Sequence, residues 1–358
     1  MEHTEAAQAQ DRARTLGALG EDEVLRRILA RVAAPAGTAV GPGDDAAVST
    51  PAGPLVSTAD MLVEGEDFLA EWLDPRALGR KAAAQNLADI AAMGADPHGL
   101  LVSLAAPADT PIETIEAIYD GLAAECARAG TGILGGDLSG SAVLTLAITA
   151  LGTLPAPAGT GAPAGSARPW LRSAARPGDA VVLAGTVGRA EAGLDLLFAG
   201  FRAASAPAGC AELIEAQLAP RPDYASARAL RGWARAAIDV SDGLAGDLGR
   251  MARASGVRID LDPAALDRLA RPLLPAARAL NPAGDAAAHR ERARGWALAG
   301  GEDHGIIAAG AAPTPGPPQR GTPVGWEPIA ACSAGDPGVY LAGRPVGLKS
   351  FSHFRENG

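Results

Sequence analysis

Apolar and polar positions along the chain switch repeatedly between helical and strand spacing. From Glu21, the apolar set Leu25, Ile28, Leu29 and Val32 recurs at helical intervals until Pro35-Ala36-Gly37 ends the run. A short strand around Leu55-Val56-Ser57-Thr58 follows and delivers Asp60. Asp74-Pro75 reads as an N-cap with proline at the first helical position, opening an alanine-rich helix from about Pro75 to Gly94. Gly99 to Ala105 reads as a buried strand. Thr110-Pro111-Ile112-Glu113 predicts a capping box, and Ile115, Ile118, Tyr119, Leu122 and Cys126 form the apolar face of the next helix. A short strand carrying Gly135-Gly136-Asp137 and a long alternating strand from Val143 to Leu154 complete a mixed α and β region.

Pro155 to Pro169 is dominated by Pro, Ala, Gly and Ser without periodicity and reads as a linker. Beyond it, Asp179 to Ala184 reads as a strand, and Gly188 to Ala199 and Pro222 to Trp233 as helices. The strand Ala236 to Val240 runs into Ser241-Asp242-Gly243 and a helix with Leu244, Leu248 and Met251 on one side. Ala264 to Arg294 is mostly helical, and Trp296 to Ala299 and Gly305 to Ala309 read as strands flanking Gly300-Gly301-Glu302-Asp303. Thr322 to Tyr340 should add further strands. The pattern predicts an α/β (α+β) protein of two domains: a disordered leader at 1–20, an N-terminal domain at 21–154, a linker at 155–169 and a C-terminal domain at 170–358. A length of 358 residues allows each domain its own core.

The formal net charge of -10 argues against a nucleic-acid or anionic-membrane surface, which needs clustered Lys and Arg. No run reaches the roughly 18 apolar residues of a membrane helix, and the first residues are polar rather than signal-like, so a cytoplasmic protein is expected. Cys126, Cys210 and Cys332 are far apart without a C-x-x-C pair, and read as buried, inert thiols.

The candidate chemistry is carried by carboxylates. In Gly41-Pro42-Gly43-Asp44-Asp45 two adjacent Asp side chains repel each other unless a cation sits beside them. Asp60, Asp89, Asp137, Asp239, Asp242 and Glu302 also lie in glycine-rich or apolar surroundings, where a lone charge is costly. Asn86 and Asp89, three apart on a helix, face a common point. Gly130-Thr131-Gly132-Ile133-Leu134-Gly135 matches G-x-G-x-x-G, but it closes a helix and leads into a strand, the reverse of the dinucleotide fingerprint. There is no G-x-x-x-x-G-K-[ST] loop, no kinase-type H-R-D or D-F-G and no G-x-S-x-G elbow. Oxygen ligands with few His or Cys select a hard cation such as Mg²⁺, which uses one or two carboxylates plus substrate phosphates. Many scattered Asp residues therefore imply several ions and a polyphosphate ligand.

The order Gly43-Asp44-Asp45-Ala46-Ala47, Thr58-Ala59-Asp60-Met61-Leu62-Val63-Glu64-Gly65, Asn86-Leu87-Ala88-Asp89-Ile90-Ala91-Ala92-Met93-Gly94-Ala95, Gly135-Gly136-Asp137, Arg172-Ser173, Asp239-Val240-Ser241-Asp242-Gly243-Leu244 and Gly301-Glu302-Asp303 resembles the thiamine-monophosphate kinases. The resemblance implies a PurM-like architecture, that of the aminoimidazole ribonucleotide synthetase superfamily. It also implies a homodimer in which the N-terminal sheets form a barrel, with ATP and thiamine monophosphate as substrates. By motif match, Asp45, Thr58, Ala59 (through its backbone), Asp60, Asp89, Asp137, Asp239 and Asp242 would hold Mg²⁺. Tyr119, Gly136, Asp137, Arg172 and Ser241 would contact ATP, and Asp67, Glu302 and Phe351 the acceptor. No dedicated general base is implied. The family usually has His where Asp67 stands, and Tyr-Glu where His304-Gly305 follows Gly301-Glu302-Asp303. These departures leave room for another acceptor within the superfamily, or for a nucleotide-binding copy without catalysis.

Overall fold

The computed structural model describes residues 14–156, 168–312 and 326–347. The chain divides into two compact units, one of Met1–Ile90 with Ala95–Ala156 and the other chiefly Ser166–Gly358. Residues 157–167 of the linker expected at 155–169, part of the expected strand region before Trp326, and Phe351 fall outside the described residues. So does the leader up to residue 13. From residue 14 the chain is docked rather than loose: Ile112 N donates to Arg14 O at 2.9 Å and Gly17 N to Ala108 O at 2.8 Å, ahead of a short helix at Leu16–Leu19.

The first unit holds helix α1 (Glu21–Leu29), the short pair β1 (Thr38–Val40) and β2 (Val48–Ser49), and a four-stranded sheet under two long helices. The sheet strands are β3 (Leu55–Val63), β4 (Asp96–Ala106), β5 (Ile133–Gly140) and β6 (Thr145–Thr153), in the order β3-β6-β4-β5. β6 pairs antiparallel with both β3 and β4, and β4 runs parallel to β5, the crossover being α3 (Ile112–Ala129). This is the mixed sheet expected of the N-terminal domain. Alternation decides its inner face: Leu146, Ile148 and Ala150 of β6 and Leu100, Val102 and Leu104 of β4 are buried, period two along each strand. Helix α2 (Pro75–Ala92) starts where Asp74-Pro75 predicts, with Asp74 Oδ1 accepting from Arg76 N at 2.6 Å. The capping box at Thr110 does not form. The helix begins at Ile112 after an N-cap at Pro111 that makes no side-chain cap, and the Ile112 amide is taken instead by Arg14 O. A tertiary acceptor has replaced the local one.

Helices α2 and α3 cross through glycine. A Cβ at Gly79 would lie 2.0 Å from Ile118 O, and one at Gly121 2.0 Å from Arg76 O. Backbone therefore meets backbone, which fixes the height of α2 over the sheet; Gly152 of β6 takes the side chain of Ile90, whose Cγ2 would lie 2.4 Å from a Cβ there.

The second unit is built on a seven-stranded sheet in the order β13-β12-β9-β11-β7-β10-β8. Its strands are β7 (Asp179–Ala184), β8 (Ala234–Asp239), β9 (Arg258–Leu261), β10 (Ile306–Ala311), β11 (Ala330–Ser333), β12 (Gly338–Leu341) and β13 (Arg344–Pro345). β7 and β10 are apolar at nearly every position and buried without alternation, as strands covered on both faces are. The helices are α4 (Arg189–Phe198), α5 (Ala211–Leu218), α6 (Tyr224–Ala229), α7 (Leu244–Ser255), α8 (Pro263–Ala270), α9 (Leu274–Leu280) and α10 (Ala286–Ala299). Trp296 to Ala299, expected as a strand, is the last turn of α10. The Ala- and Arg-rich run from Ala286 is a strong helix former, Asp285 caps it through Ala288 N at 2.8 Å, and continuing the helix buries Ala293, Trp296 and Ala297 together.

The glycine crossing is directly testable. Gly79→Ala and Gly121→Ala should each lower unfolding free energy by about 2–4 kcal/mol in urea titrations, because neither carbonyl can retreat without moving a helix. Gly140→Ala, with nothing within 4 Å of its added Cβ, should change stability by less than about 0.5 kcal/mol.

Candidate active site

In the first unit four of the expected residues, Thr58, Ala59, Asp60 and Asp89, come together at one edge of the sheet. β3 is an outer strand, so its outward amides have no strand partner, and α2 supplies one for Asp60. Asn86 Oδ1 accepts from Asp60 N at 3.1 Å, while Asn86 Nδ2 donates back to Ala82 O at 2.9 Å. One turn on, Asp89 Oδ2 accepts from Thr58 Oγ1 at 2.6 Å. The three-residue spacing of Asn86 and Asp89 is thus spent on one strand, and it brings Thr58, Ala59, Asp60 and Asp89 together. Asn86 is fully buried and Asp89 half-buried, whereas Ala59 and Asp60 are exposed.

Gly136 and Asp137 lie on β5 at the other edge. The row Asp60, Ile148, Val102, Gly136 crosses all four strands, a span of about 14 Å at the usual strand spacing. One ion cannot bridge that distance. Gly136 is required by close approach, since a Cβ would sit 1.9 Å from Val102 O. Tyr119 is buried in α3, and burial, aided by the Asp137 charge, pushes its hydroxyl up to about 12. Asp45 lies on the exposed turn between β1 and β2, its amide bonded to Asp44 Oδ1 at 2.9 Å. Asp67 accepts from Val63 N at 2.8 Å and closes the turn that holds Glu64 to Phe68. Among the described residues no cluster of three or more His, Cys, Asp or Glu could hold a metal ion by itself. The donors at β3 and α2 are nonetheless all oxygen, from a hydroxyl and two carboxylates, the incomplete set that suits Mg²⁺ sharing its coordination with phosphates.

The second unit gathers its residues by extending a ladder. Asp239 ends β8 opposite Ile306 of β10, and the pairing continues past both strands: Val240 N donates to Gly305 O, His304 N to Val240 O and Glu302 N to Ser241 O. Asp239, Ser241, Asp242 and Glu302 therefore share one end of the sheet. Glu302 and His304 hold φ of +62° and +52°, left-handed conformations that cost non-glycine residues about 1–2 kcal/mol each. His304, one of the two departures, is buried with Nδ1 3.8 Å from Asp239 Oδ2. The Arg172 carbonyl accepts from Ser255 Oγ at the C-terminal end of α7.

Three residues here escaped the sequence reading. Asp247, in the first turn of α7, accepts from Asp242 N at 3.1 Å, and Arg250 pairs with both Asp242 and Asp247. Burial, with the nearby Asp239 charge, pushes Asp247 up to about 6. The available signal was a charge between Leu244, Leu248 and Met251. Asp303 caps α4 from a distance, accepting from Thr186 Oγ1 at 2.9 Å, Arg189 N at 3.2 Å and Ala190 N at 3.1 Å, because Gly188 at the N-cap has no side chain to do so. Burial outweighs these donors and pushes Asp303 up to about 6. Gln217 of α5 donates to Glu302 Oε2 at 2.7 Å, and nothing in its sequence neighbourhood marks it. Cys126, Cys210 and Cys332 are buried, as expected.

The family described as AIR synthase related protein matches the chain twice, its N-terminal domain over residues 43–154 and its C-terminal domain over 176–309, which defines the class of fold and site. A thiamine-monophosphate kinase of Mycobacterium tuberculosis is 39% identical over 345 residues, covering 96% of this chain and 94% of its own. The crystal structure of a thiamine-monophosphate kinase from Stenotrophomonas maltophilia K279a matches with a TM-score of 0.70 at 31% identity, over 91% of this chain and 96% of that one. AaThiL complexed with AMPPCP and TMP matches with a TM-score of 0.70 at 27% identity, over 95% and 98% of the two chains. The chain belongs to the thiamine-monophosphate kinase family.

The buried cap gives a pH signature. Asp303 titrates near 6 when folded against an ordinary 3.8, so the native state holds the extra proton between those values. Its contribution to stability is complete below about pH 4 and is lost as pH rises through about 6. Relative to Asp303→Asn, the wild type should lose on the order of 2–3 kcal/mol between pH 4 and pH 7, read from denaturant midpoints across that range.

Proposed function

We propose that this chain transfers the γ-phosphoryl group of ATP to the terminal phosphate of thiamine monophosphate, giving thiamine diphosphate and ADP. The observation that carries the reading is the Thr58–Asp89 contact at the edge of β3, with Asp60 beside it, an all-oxygen seat in a chain of this family. The nucleophile is a phosphate oxygen of the acceptor, already anionic. It forms a new P–O bond to the γ-phosphorus as the bond to the β,γ-bridging oxygen breaks and ADP takes the electron pair. No general base is needed, and the site residues contribute alignment and charge neutralisation. Asp60 and Asp89 with Thr58 and the Ala59 carbonyl would hold Mg²⁺ in the first unit, Asp137 a separate ion, and Asp239 and Asp242 another in the second. Asp45, on its exposed turn, would be a further Mg²⁺ ligand. When bound, Mg²⁺ neutralises the phosphate oxygens. Tyr119, Gly136, Arg172 and Ser241 face ATP in this reading. Glu302 would contact the acceptor, a role the motif match also gives Phe351, and Asp67 would use the carboxylate that closes its own turn.

The assembly we propose is a homodimer. Leu55, Met61 and Leu101 lie on the face of the first sheet away from its buried side and are 56%, 56% and 39% exposed, a flat apolar surface suited to a second copy. No helix among the described residues is long and apolar enough to cross a membrane, and dependence on ATP fits the cytoplasm.

Purified protein given ATP, Mg²⁺ and thiamine monophosphate should form thiamine diphosphate and ADP in equal amounts, and chelation should stop both. ATP consumption without thiamine diphosphate would point to another acceptor, and nucleotide binding without turnover to a non-catalytic role. Asp89→Asn should lower turnover about 10²–10³-fold while leaving the melting temperature near that of wild type. Met61→Asp should turn the dimer into a monomer by light scattering; an unchanged mass would remove this face from the interface.

A further inference from the structure

The acceptor carboxylate Glu302 sits on a main chain that has almost no freedom. Its amide is bonded to Ser241 O at 2.9 Å, the preceding Gly301 lies so close that a Cβ would be 2.2 Å from Ser241 O, and its own φ is +62°. Its environment is anionic: burial and the charges of Asp195, Glu302 and Asp303 together raise Glu191, whose Cβ would lie 2.6 Å from a Cβ on Gly300. Like charges nearby make the direction of the Glu302 carboxylate matter.

Gln217 supplies a donor to it. It is buried, 8% exposed, on α5, and donates Nε2–H to Glu302 Oε2 at 2.7 Å. α5 is itself locked against α4, since a Cβ on Gly193 would sit 2.1 Å from Leu213 O. The donor is therefore held by a packed helix pair. The bond fixes the plane of the Glu302 carboxylate from the α5 side. A neutral amide does this without cancelling the charge of Glu302, which matters for an acceptor bearing a permanent cation.

We infer that Gln217 is a positioning residue that fixes the Glu302 carboxylate for the acceptor. The inference rests on the reading of Glu302 given under the proposed function. Gln217→Met keeps the length and removes the donor; it should raise KM for thiamine monophosphate about tenfold, with kcat and KM for ATP changing by less than about twofold. Gln217→Glu sets a second carboxylate against Glu302 and should raise that KM further. In a Glu302→Gln background, Gln217→Met should add no further increase, because the partner through which it acts is already altered. An acceptor KM that stays at the wild-type value in both variants would overturn the proposal. So would full additivity with Glu302→Gln, or equal shifts in both KM values with a lowered melting temperature, the mark of a merely structural role. If the wild type itself makes no thiamine diphosphate, the functional reading has failed first, before any variant is compared.

Discussion

A hydroxyl on an edge strand and a carboxylate on a helix, 2.6 Å apart, are the contact on which the proposed site of the first unit depends. β3 closes one side of its sheet and would expose unpaired amides; α2 answers with Asn86 on the Asp60 amide and Asp89 on the Thr58 hydroxyl. The same two side chains that satisfy the strand place a carboxylate beside it. Their height above the sheet is set by backbone packing, through Gly79 and Gly121, rather than by polar contacts. The group of oxygens proposed to hold Mg²⁺ is thus a by-product of how a helix covers a sheet edge.

The second unit reaches a similar result by another route. The β8 and β10 ladder does not stop at Asp239 and Ile306 but continues through Val240, Ser241, Glu302 and His304 as paired main chain. Two residues in left-handed geometry are tolerated there because the hydrogen bonds on both sides over-determine the loop. Asp303 ties the same loop to the start of α4, and Gln217 ties Glu302 to α5. Strain, cap and ladder all act on five consecutive residues, which accounts for the glycines that open and close the segment.

Much of this was legible in the sequence, and the gaps have physical causes. The order of strands and helices around Asp60, Asp89, Asp137 and Asp239 follows from period and punctuation, and the i, i+3 pairing of Asn86 with Asp89 predicted a shared target that the strand supplies. What depended on partners distant in the chain was not readable. The capping box at Thr110 lost to Arg14 O, a residue about a hundred positions away, and the Trp296 strand lost to the burial available along α10. Asp247, Asp303 and Gln217 escaped for the same reason: each acts through an acceptor or donor that only the fold brings near. Carboxylates standing in apolar sequence gave the candidates, but spacing alone could not say that Asp60 and Asp137 lie at opposite edges of one sheet.

The central claim is that the β3–α2 junction is a cation seat for a phosphate ligand, with Thr58 and Asp89 bonded to each other only until an ion takes both. Anomalous diffraction from crystals grown with Mn²⁺ and a non-hydrolysable ATP analogue tests it most directly. The account predicts a peak within about 2.5 Å of an Asp89 carboxylate oxygen, with the Thr58–Asp89 hydrogen bond opened around it. Nucleotide bound with that hydrogen bond intact and no peak beside Asp89 would contradict it.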